Sequence, residues 1–294
     1  MRISVIIATK DRASYLARAL ASLEGQIAAP SFEAIVVDNG SSDDTKAVTQ
    51  QQAERGKYPV RYLFEAEPNR GKARNRGLAV AQGYLVLFVD DDVQLPPGFL
   101  AAHETAHSTG NLVVNGPIIN VSSYEARPRP VLGNYSGAFL CTCNVSVPKH
   151  AIEAVGGFDE AFHLYGWEDT ELGVRLREAG LRRRFAWEAY LWHIKVPGDN
   201  TLEVETRKVM ERARMARRFL EKQPTPRARM ATGAHPVNLL RARYLLPDSL
   251  LAVFAGMATS PNVPAFVRSL ARVQFLDGMY ARELVRVLDE AAPS

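Results

Sequence analysis

Ile3 to Ala8 and Ala34 to Val37 are short, nearly continuous apolar runs rich in β-branched side chains, and between them Leu16, Leu20 and Leu23 share one face of a helix. Strands that are apolar on both faces must be covered on both faces, so this opening dictates a β-α-β unit in a buried parallel sheet. The same alternation continues with a strand over Val60–Phe64, a helix over Lys72–Ala81 and a strand over Tyr84–Val89. A chain of 294 residues, 47% apolar and 23% charged, has the material for such a core. Its length suits one large domain, or a domain with an appendage.

From about Leu112 to Val147 the pattern is strand and loop, punctuated by Pro117, Pro128 and Pro130. Helix returns over Glu168–Ala179 and is stopped by Gly180. A long helix fits Thr201–Lys222, with Val209, Ala213, Ala216 and Leu220 as a weak apolar stripe among basic residues, and several helices follow over Val237–Ala292. Membrane surface, a second copy of the chain and plain packing are all open readings of these carboxyl-terminal helices.

The apolar opening is too short for a signal peptide, and no apolar run reaches the roughly 18 residues of a membrane span. A cytoplasmic location is therefore expected, with peripheral contact at the inner face of the membrane left open. Cys141 and Cys143 are separated by one residue in a strand-like stretch and read as unbridged packing residues. The net charge of +4 suits a phosphorylated ligand, although solvated lysine and arginine explain it equally well. No nucleic-acid partner is expected.

In open α/β sheets ligands gather at the carboxyl ends of the strands, where Asp11, Asp38 and the run Asp90, Asp91, Asp92 fall. In FVDDDVQLPPG an apolar strand delivers three carboxylates to one sheet edge. They repel one another, and burial sharpens the repulsion unless a cation sits among them. Oxygen ligands of this kind suit Mn²⁺ or Mg²⁺, and such an ion can neutralise a departing diphosphate. Taken alone, the run also reads as a solvated acidic turn.

Six segments occur in a telling order: SVIIATKDR, IVVDNGSSDDT, NRGKARNRGL, FVDDDV, GGFDE and GWEDTELGVRLREAG. Together they resemble the inverting, nucleotide-sugar-dependent glycosyltransferases of family 2. The resemblance covers roughly residues 1 to 200 and implies a GT-A type, Rossmann-like mixed α/β sheet flanked by helices. Its nucleotide half would span about 1–110 and its acceptor half about 111–200, leaving 201–294 as a helical extension.

The resemblance further implies that Thr9 and Asp11 line the nucleotide pocket. Asp38 would accept the N3 hydrogen of uracil or thymine, which favours a UDP- or dTDP-sugar. Asn69, Gly71 and Arg74 correspond to a segment that closes on the donor, with glycine allowing close backbone approach and arginine meeting phosphate or base. Asp90 and Asp92 match the ends of the family's Asp-x-Asp metal motif, Asp91 falls toward the ribose, and His193 takes the place of a third metal ligand. Imidazole suits Mn²⁺ better than Mg²⁺.

By the same resemblance Asp169 is the base that deprotonates the acceptor hydroxyl, so that its oxygen displaces the nucleotide in one inverting step. Glu168 would orient the acceptor and Trp167 would offer a flat surface to a sugar ring. Asn144 and Lys149 match positions near the acceptor, where packing explains Asn144 almost as well. The acceptor itself, whether saccharide, lipid-linked or small molecule, is not legible. Two rival readings are a sugar nucleotidyltransferase, whose usual glycine-rich first loop is missing from ATKDR, and a non-catalytic scaffold that binds a nucleotide sugar.

Overall fold

In chain order the first half builds β1 (Ile3–Thr9), α1 (Ala13–Glu24), β2 (Phe32–Asp38), α2 (Thr45–Glu54), β3 (Val60–Phe64), α3 (Arg70–Val80) and β4 (Leu85–Val89). Then come β5 (Val93–Gln94), α4 (Phe99–Ala106), β6 (Leu112–Asn115), β7 (Ile118–Val121), β8 (Asn144–Pro148), α5 (Lys149–Ala154), α6 (Glu168–Glu178), β9 (Arg182–Phe185) and β10 (Leu191–Ile194). This is a computed structural model, and it describes residues 1–108, 110–195 and 201–290. The chain divides into two compact units, one of Met1–His163 with Glu168–Pro197 and one of Leu164–Trp167 with Gly198–Ser294. The expected domain edge at residue 200 and the helix end at Ala292 lie outside the described residues.

The first unit holds a seven-stranded sheet in the order β3-β2-β1-β4-β8-β6-β9. Strands β1 to β4 run parallel, β8 runs antiparallel to both neighbours, and β9 pairs parallel with β6. This is the mixed α/β sheet that the alternating pattern demands. Side chains alternate across a strand, and β1 feeds both layers. Ile3, Val5 and Ile7 pack with Leu16, Leu20 and Leu23 of α1. Ile6 faces the other layer, with Ala73 of α3 and Leu172 and Leu176 of α6. Each such fully buried aliphatic side chain contributes about 1.5–3 kcal/mol. A β-carbon at Gly77 would come within 2.7 Å of Ile6 Cγ2, so glycine there lets α3 lie close on β1.

A second, three-stranded sheet, β5-β10-β7, stands beside the carboxyl end of β4. It pairs His193 with Val93 on one side and with Asn120 on the other. Cys141 and Cys143 are unbridged, yet they lie in the turn that leads into β8 rather than in a strand. The cause is tertiary: Asn115 Oδ1 takes the backbone N–H of Cys141 at 3.1 Å and Asp169 Oδ2 takes that of Thr142 at 2.9 Å. Side chains thus capture the donors that a ladder would need.

The second unit is helical: α7 (Leu202–Lys222), α8 (Pro226–Thr232), α9 (Pro236–Tyr244), α10 (Asp248–Thr259) and α11 (Ala265–Asp289). Thr201 caps α7 by accepting from Val204 N–H at 3.2 Å. Pro226 opens α8, and Gly233 closes it with φ 73°, a left-handed conformation that glycine adopts without strain. The buried face of α7 is Ala213, Met215, Ala216 and Phe219, turned slightly from the stripe read in the sequence, and α7 packs on α11. Among the described residues no helix is long and apolar enough to cross a membrane.

Candidate active site at the strand ends

Thr9, Asp38 and Asp90 sit at or just past the ends of β1, β2 and β4, so the parallel register brings the loops that follow to one edge. There the β1–α1 and β2–α2 loops are tied together. Asp11 Oδ1 accepts from Ser42 N–H at 2.7 Å, and Ala13 N–H donates to Asp43 Oδ2 at 2.8 Å. Asp11 holds φ 52°, rare for a side chain with a β-carbon, and these bonds keep it there. Asp38 is buried and accepts from Ser41 N–H at 2.8 Å and Tyr62 O–H at 2.7 Å.

The three aspartates have different surroundings. Thr9 Oγ1 donates to Asp91 Oδ2 at 2.6 Å, so the two residues assigned to nucleotide and ribose contact each other. Burial, with the repulsion of Asp92 and Asp90, pushes the Asp91 carboxyl up to about 6 against the pull of Arg12 and Thr9. Burial also works against charge on Asp92, but His193, Arg12 and Lys195 outweigh it and hold that carboxyl down at about 2. Arg12 Nη1 bridges Asp92 Oδ2 at 2.7 Å and Asp91 Oδ1 at 3.2 Å.

Asp90, Cys143 and His193 each offer one ligand atom, all within 4.8 Å of one another. Beside them Asp92 Oδ1 lies 2.9 Å from His193 Nε2, yet it is a buried oxygen that receives no hydrogen bond. His193 Nδ1 meets Asn120 Oδ1 at 3.0 Å, and in the tautomer with its ring hydrogen on Nδ1 the Nε2 lone pair faces Asp92 Oδ1. Two electron pairs face each other at that separation comfortably only with a proton or a cation between them. An orphaned carboxylate oxygen opposite an imidazole whose outer nitrogen is held by an amide is a donor set that fits a divalent metal ion. Asp90, Asp92 and His193 would hold it.

Helix α3 supplies the next side chains. Asn69 caps it, accepting from Lys72 N–H at 3.1 Å, and donates through Nδ2 to the Glu160 carbonyl at 2.6 Å. Asn75 clasps Phe158 through both backbone groups, at 2.9 and 2.8 Å. Gly71 faces Phe158 and Asp159 of the GGFDE turn, where an added β-carbon would stand 3.4 and 3.5 Å away, in ordinary contact. Arg74 is buried and donates to Glu168 Oε1 at 3.2 Å and, longer, to Asp169 Oδ1 at 3.5 Å, and its charge is also supported by Asp90. Burial first and Asp169 second push the Glu168 carboxyl up, with Arg74 opposing.

Asp169 stands in the first turn of α6, where a carboxylate is favoured by the helix dipole. Its Oδ2 accepts from Thr142 N–H at 2.9 Å and Thr142 O–H at 2.8 Å, and its side chain keeps one quarter of its surface exposed. Two turns of the same helix carry the ordinary Glu171–Arg175 pair. The expected sugar platform at Trp167 is corrected. The residue is 7% exposed, and its ring stacks on Phe219 with centroids 5.2 Å apart and donates its N–H to the Arg212 carbonyl at 2.9 Å, so it packs within the second unit. Asn144 is fully buried, donating to the carbonyls of Pro117 and Ala189 at 3.1 and 2.8 Å, and Lys149 donates to the Ala81 carbonyl at 2.7 Å.

Sequence reasoning missed Arg12, Thr142, Cys143, Asn120 and Lys195 as neighbours of these carboxylates. Only Arg12 left a signal, since it stands beside Asp11 in the loop after β1. The others reach the site through tertiary pairing that no spacing records.

The glycosyl transferase family 2 profile matches residues 4–154, and a profile described as the N-terminal domain of galactosyltransferase matches residues 129–206. The chain is 28% identical over 266 residues to a validoxylamine A glucosyltransferase of Streptomyces hygroscopicus, covering 76% of this chain and 57% of that one. It is 32% identical over 188 residues to the GalNAc(5)-diNAcBac-PP-undecaprenol beta-1,3-glucosyltransferase of Campylobacter jejuni, covering 58% of each. The chain thus spans a little over half the length of these relatives. Its fold is similar to a mannosyltransferase from Pyrobaculum calidifontis solved with GDP-Man and Mn²⁺, with a TM-score of 0.65 at 18% identity, over 99% of this chain and 88% of that one. With half of its residues under the family profile, a sheet of the expected order and a GT-A neighbour over nearly its whole length, the chain belongs to glycosyl transferase family 2.

Proposed function

We propose that this protein transfers a sugar from a nucleotide-sugar donor, UDP- or dTDP-linked, to an acceptor hydroxyl by a single displacement with inversion. The carrying observation is Arg74, one buried guanidinium shared by Glu168 and Asp169 and supported by Asp90. It couples the carboxylate proposed as base to Asp90, one of the carboxylates proposed for the metal.

In this reading Asp169 takes the proton of the acceptor hydroxyl on its Oδ1, while Thr142 holds Oδ2 and fixes the direction of approach. Glu168 and Arg74 set the carboxylate's orientation from the other side. Asp38 accepts from the base, Thr9 and Asp11 line its pocket, and Asp90, Asp92 and His193 hold the cation. A bound Mn²⁺ or Mg²⁺ supplies charge neutralisation of the leaving diphosphate. Two proteins of similar fold support a nucleotide-sugar donor in general: the Pyrobaculum calidifontis protein was solved with GDP-Man, and a Staphylococcus aureus TarS fragment with UDP-GlcNAc.

The test compares hydrolysis and transfer of UDP-, dTDP- and GDP-sugars with Mn²⁺ or Mg²⁺ in the wild type, Asp92→Ala and Asp169→Asn. Asp92→Ala is expected to lose metal-dependent donor binding, whereas Asp169→Asn keeps donor affinity and loses about 10²-fold or more in kcat. Equal loss of donor binding in both variants would refute this division of roles. Metal-dependent nucleotide binding with no turnover on any acceptor would favour a scaffold.

A further inference from the structure

The β4–β8 ladder ends on the pair Val89–Asn144, and the residues flanking that pair, Asp90 just after β4 and Cys143 in the turn just before β8, bring their ligand atoms together. The pairing of β10 with β5 then delivers His193 from the other side, against Val93. Three separate backbone segments therefore converge on one point with a thiol, a carboxylate and an imidazole. Their ligand atoms lie within 4.8 Å of one another. A tetrahedral ion with bonds of about 2.0–2.3 Å sets its ligands roughly 3.3–3.8 Å apart, so small side-chain adjustments close the set. The orphaned Asp92 Oδ1, 2.9 Å from His193 Nε2, stands ready as a fourth arm.

We propose that Cys143 is itself a ligand to the cation bound here, and that an Asp90–Cys143–His193 set with Asp92 makes the site prefer a borderline-soft ion, Zn²⁺, over Mn²⁺ and Mg²⁺. The inference rests on the cation site of the preceding section and adds its selectivity. Carboxylate and imidazole oxygen and nitrogen accept Mn²⁺, but a sulfur donor adds little for a hard ion and much for Zn²⁺, Co²⁺ or Cd²⁺. As the Sγ–metal bond forms, the thiol proton leaves to solvent and the sulfur electron pair enters the bond. Zn²⁺ therefore displaces Mn²⁺ from the full chain. Cys141, two residues earlier in the turn, is outside the set and serves as the internal control.

The experiment titrates the metal-free full chain with Co²⁺, Zn²⁺ and Mn²⁺, and follows the thiolate-to-Co²⁺ charge-transfer absorption together with direct metal affinity. Wild type and Cys141→Ser are expected to show the band, and Cys143→Ser and Cys143→Ala to lack it. Losing a direct ligand should weaken Zn²⁺ binding at least as much as losing an outer-shell partner does, about 10- to 100-fold, while Mn²⁺ affinity holds within about twofold. Two Cys143 variants with unchanged melting temperature keep a folding defect from mimicking the result. Co²⁺ binding without the band, or an unchanged Zn²⁺ preference in both Cys143 variants, would overturn the inference and leave the cation site standing. No metal binding by the wild type, even with a nucleoside diphosphate present, would overturn both.

Discussion

Thr142 grips Asp169 twice on the same oxygen, with its amide at 2.9 Å and its hydroxyl at 2.8 Å, while the other oxygen turns toward Arg74 at 3.5 Å. In the role proposed for Asp169, Oδ2 is held by the protein and Oδ1 is left for the acceptor's proton. Thr142→Val keeps the amide bond and the branched shape but deletes the hydroxyl. A hydrogen bond to a charged acceptor is worth about 1.5–3 kcal/mol, so kcat should fall by about tenfold or more with the donor KM unchanged. Transfer kinetics that leave kcat intact would remove Thr142 from the orientation of the base.

Arg12 stands in for a cation among the carboxylates. Its guanidinium touches both Asp91 and Asp92 while 42% of its own side chain stays exposed. In Arg12→Met the like charges lose that partner, and the metal-free protein should melt at a lower temperature. Added Mn²⁺ should then restore more than it adds to the wild type, because ligand binding to the folded state stabilises by mass action. A Mn²⁺-induced shift in melting temperature that is equal to or smaller than the wild-type shift would contradict this role.

The parts of the molecule legible in the sequence are those set by local pattern. Val60–Phe64 forms a strand over the very residues that its apolar content marks, and Leu16, Leu20 and Leu23 are buried together on α1. The carboxylates at the strand ends were legible because a parallel sheet has only one such edge. What was hidden depends on distant partners. The alternating stretch from Cys141 onward looks like strand throughout, but Asn115 and Asp169 withdraw its first amides into a turn. Trp167 looks exposed in a polar motif, but Phe219, fifty-odd residues on, covers it. Arg12 meets Asp92 from eighty positions away, and no periodicity encodes that.

A buried relay makes stability depend on pH. Asn144 Nδ2 is committed to the Pro117 and Ala189 carbonyls, so its Oδ1 accepts from His103 Nε2 at 2.9 Å. His103 Nδ1 then accepts from the Ser146 hydroxyl at 2.8 Å, and that oxygen accepts from His107 Nε2 at 2.8 Å. All four groups are neutral. Burial lowers His103 from 6.5 to about 3 despite the support of Asn144. The unfolded chain therefore takes up the proton first. Stability is fully present above about pH 6.5 and is lost as pH falls toward 3, by about 2 kcal/mol for His103 at pH 5. Denaturant unfolding at pH 7.5 and 5 should show a smaller difference in His103→Gln than in the wild type, and equal differences would contradict the assignment.

Gly116 tests the joint between the two sheets of the first unit. A β-carbon there would lie 1.7 Å from the Ala189 carbonyl oxygen and 2.7 Å from Asn144 Nδ2. Neither neighbour can yield, since Ala189 is backbone just before β10 and Asn144 is fixed by three hydrogen bonds. Gly116→Ala must push β7 and β10 away from β8, and with them Asn120 and His193. Overpacking costs about 1–3 kcal/mol, and against rigid backbone the upper end is expected; Mn²⁺ binding should weaken because His193 loses its place beside Asp92. A melting temperature and Mn²⁺ affinity both equal to wild type would mean that the joint gives way without moving the imidazole, and would detach His193 from the geometry on which the cation site depends.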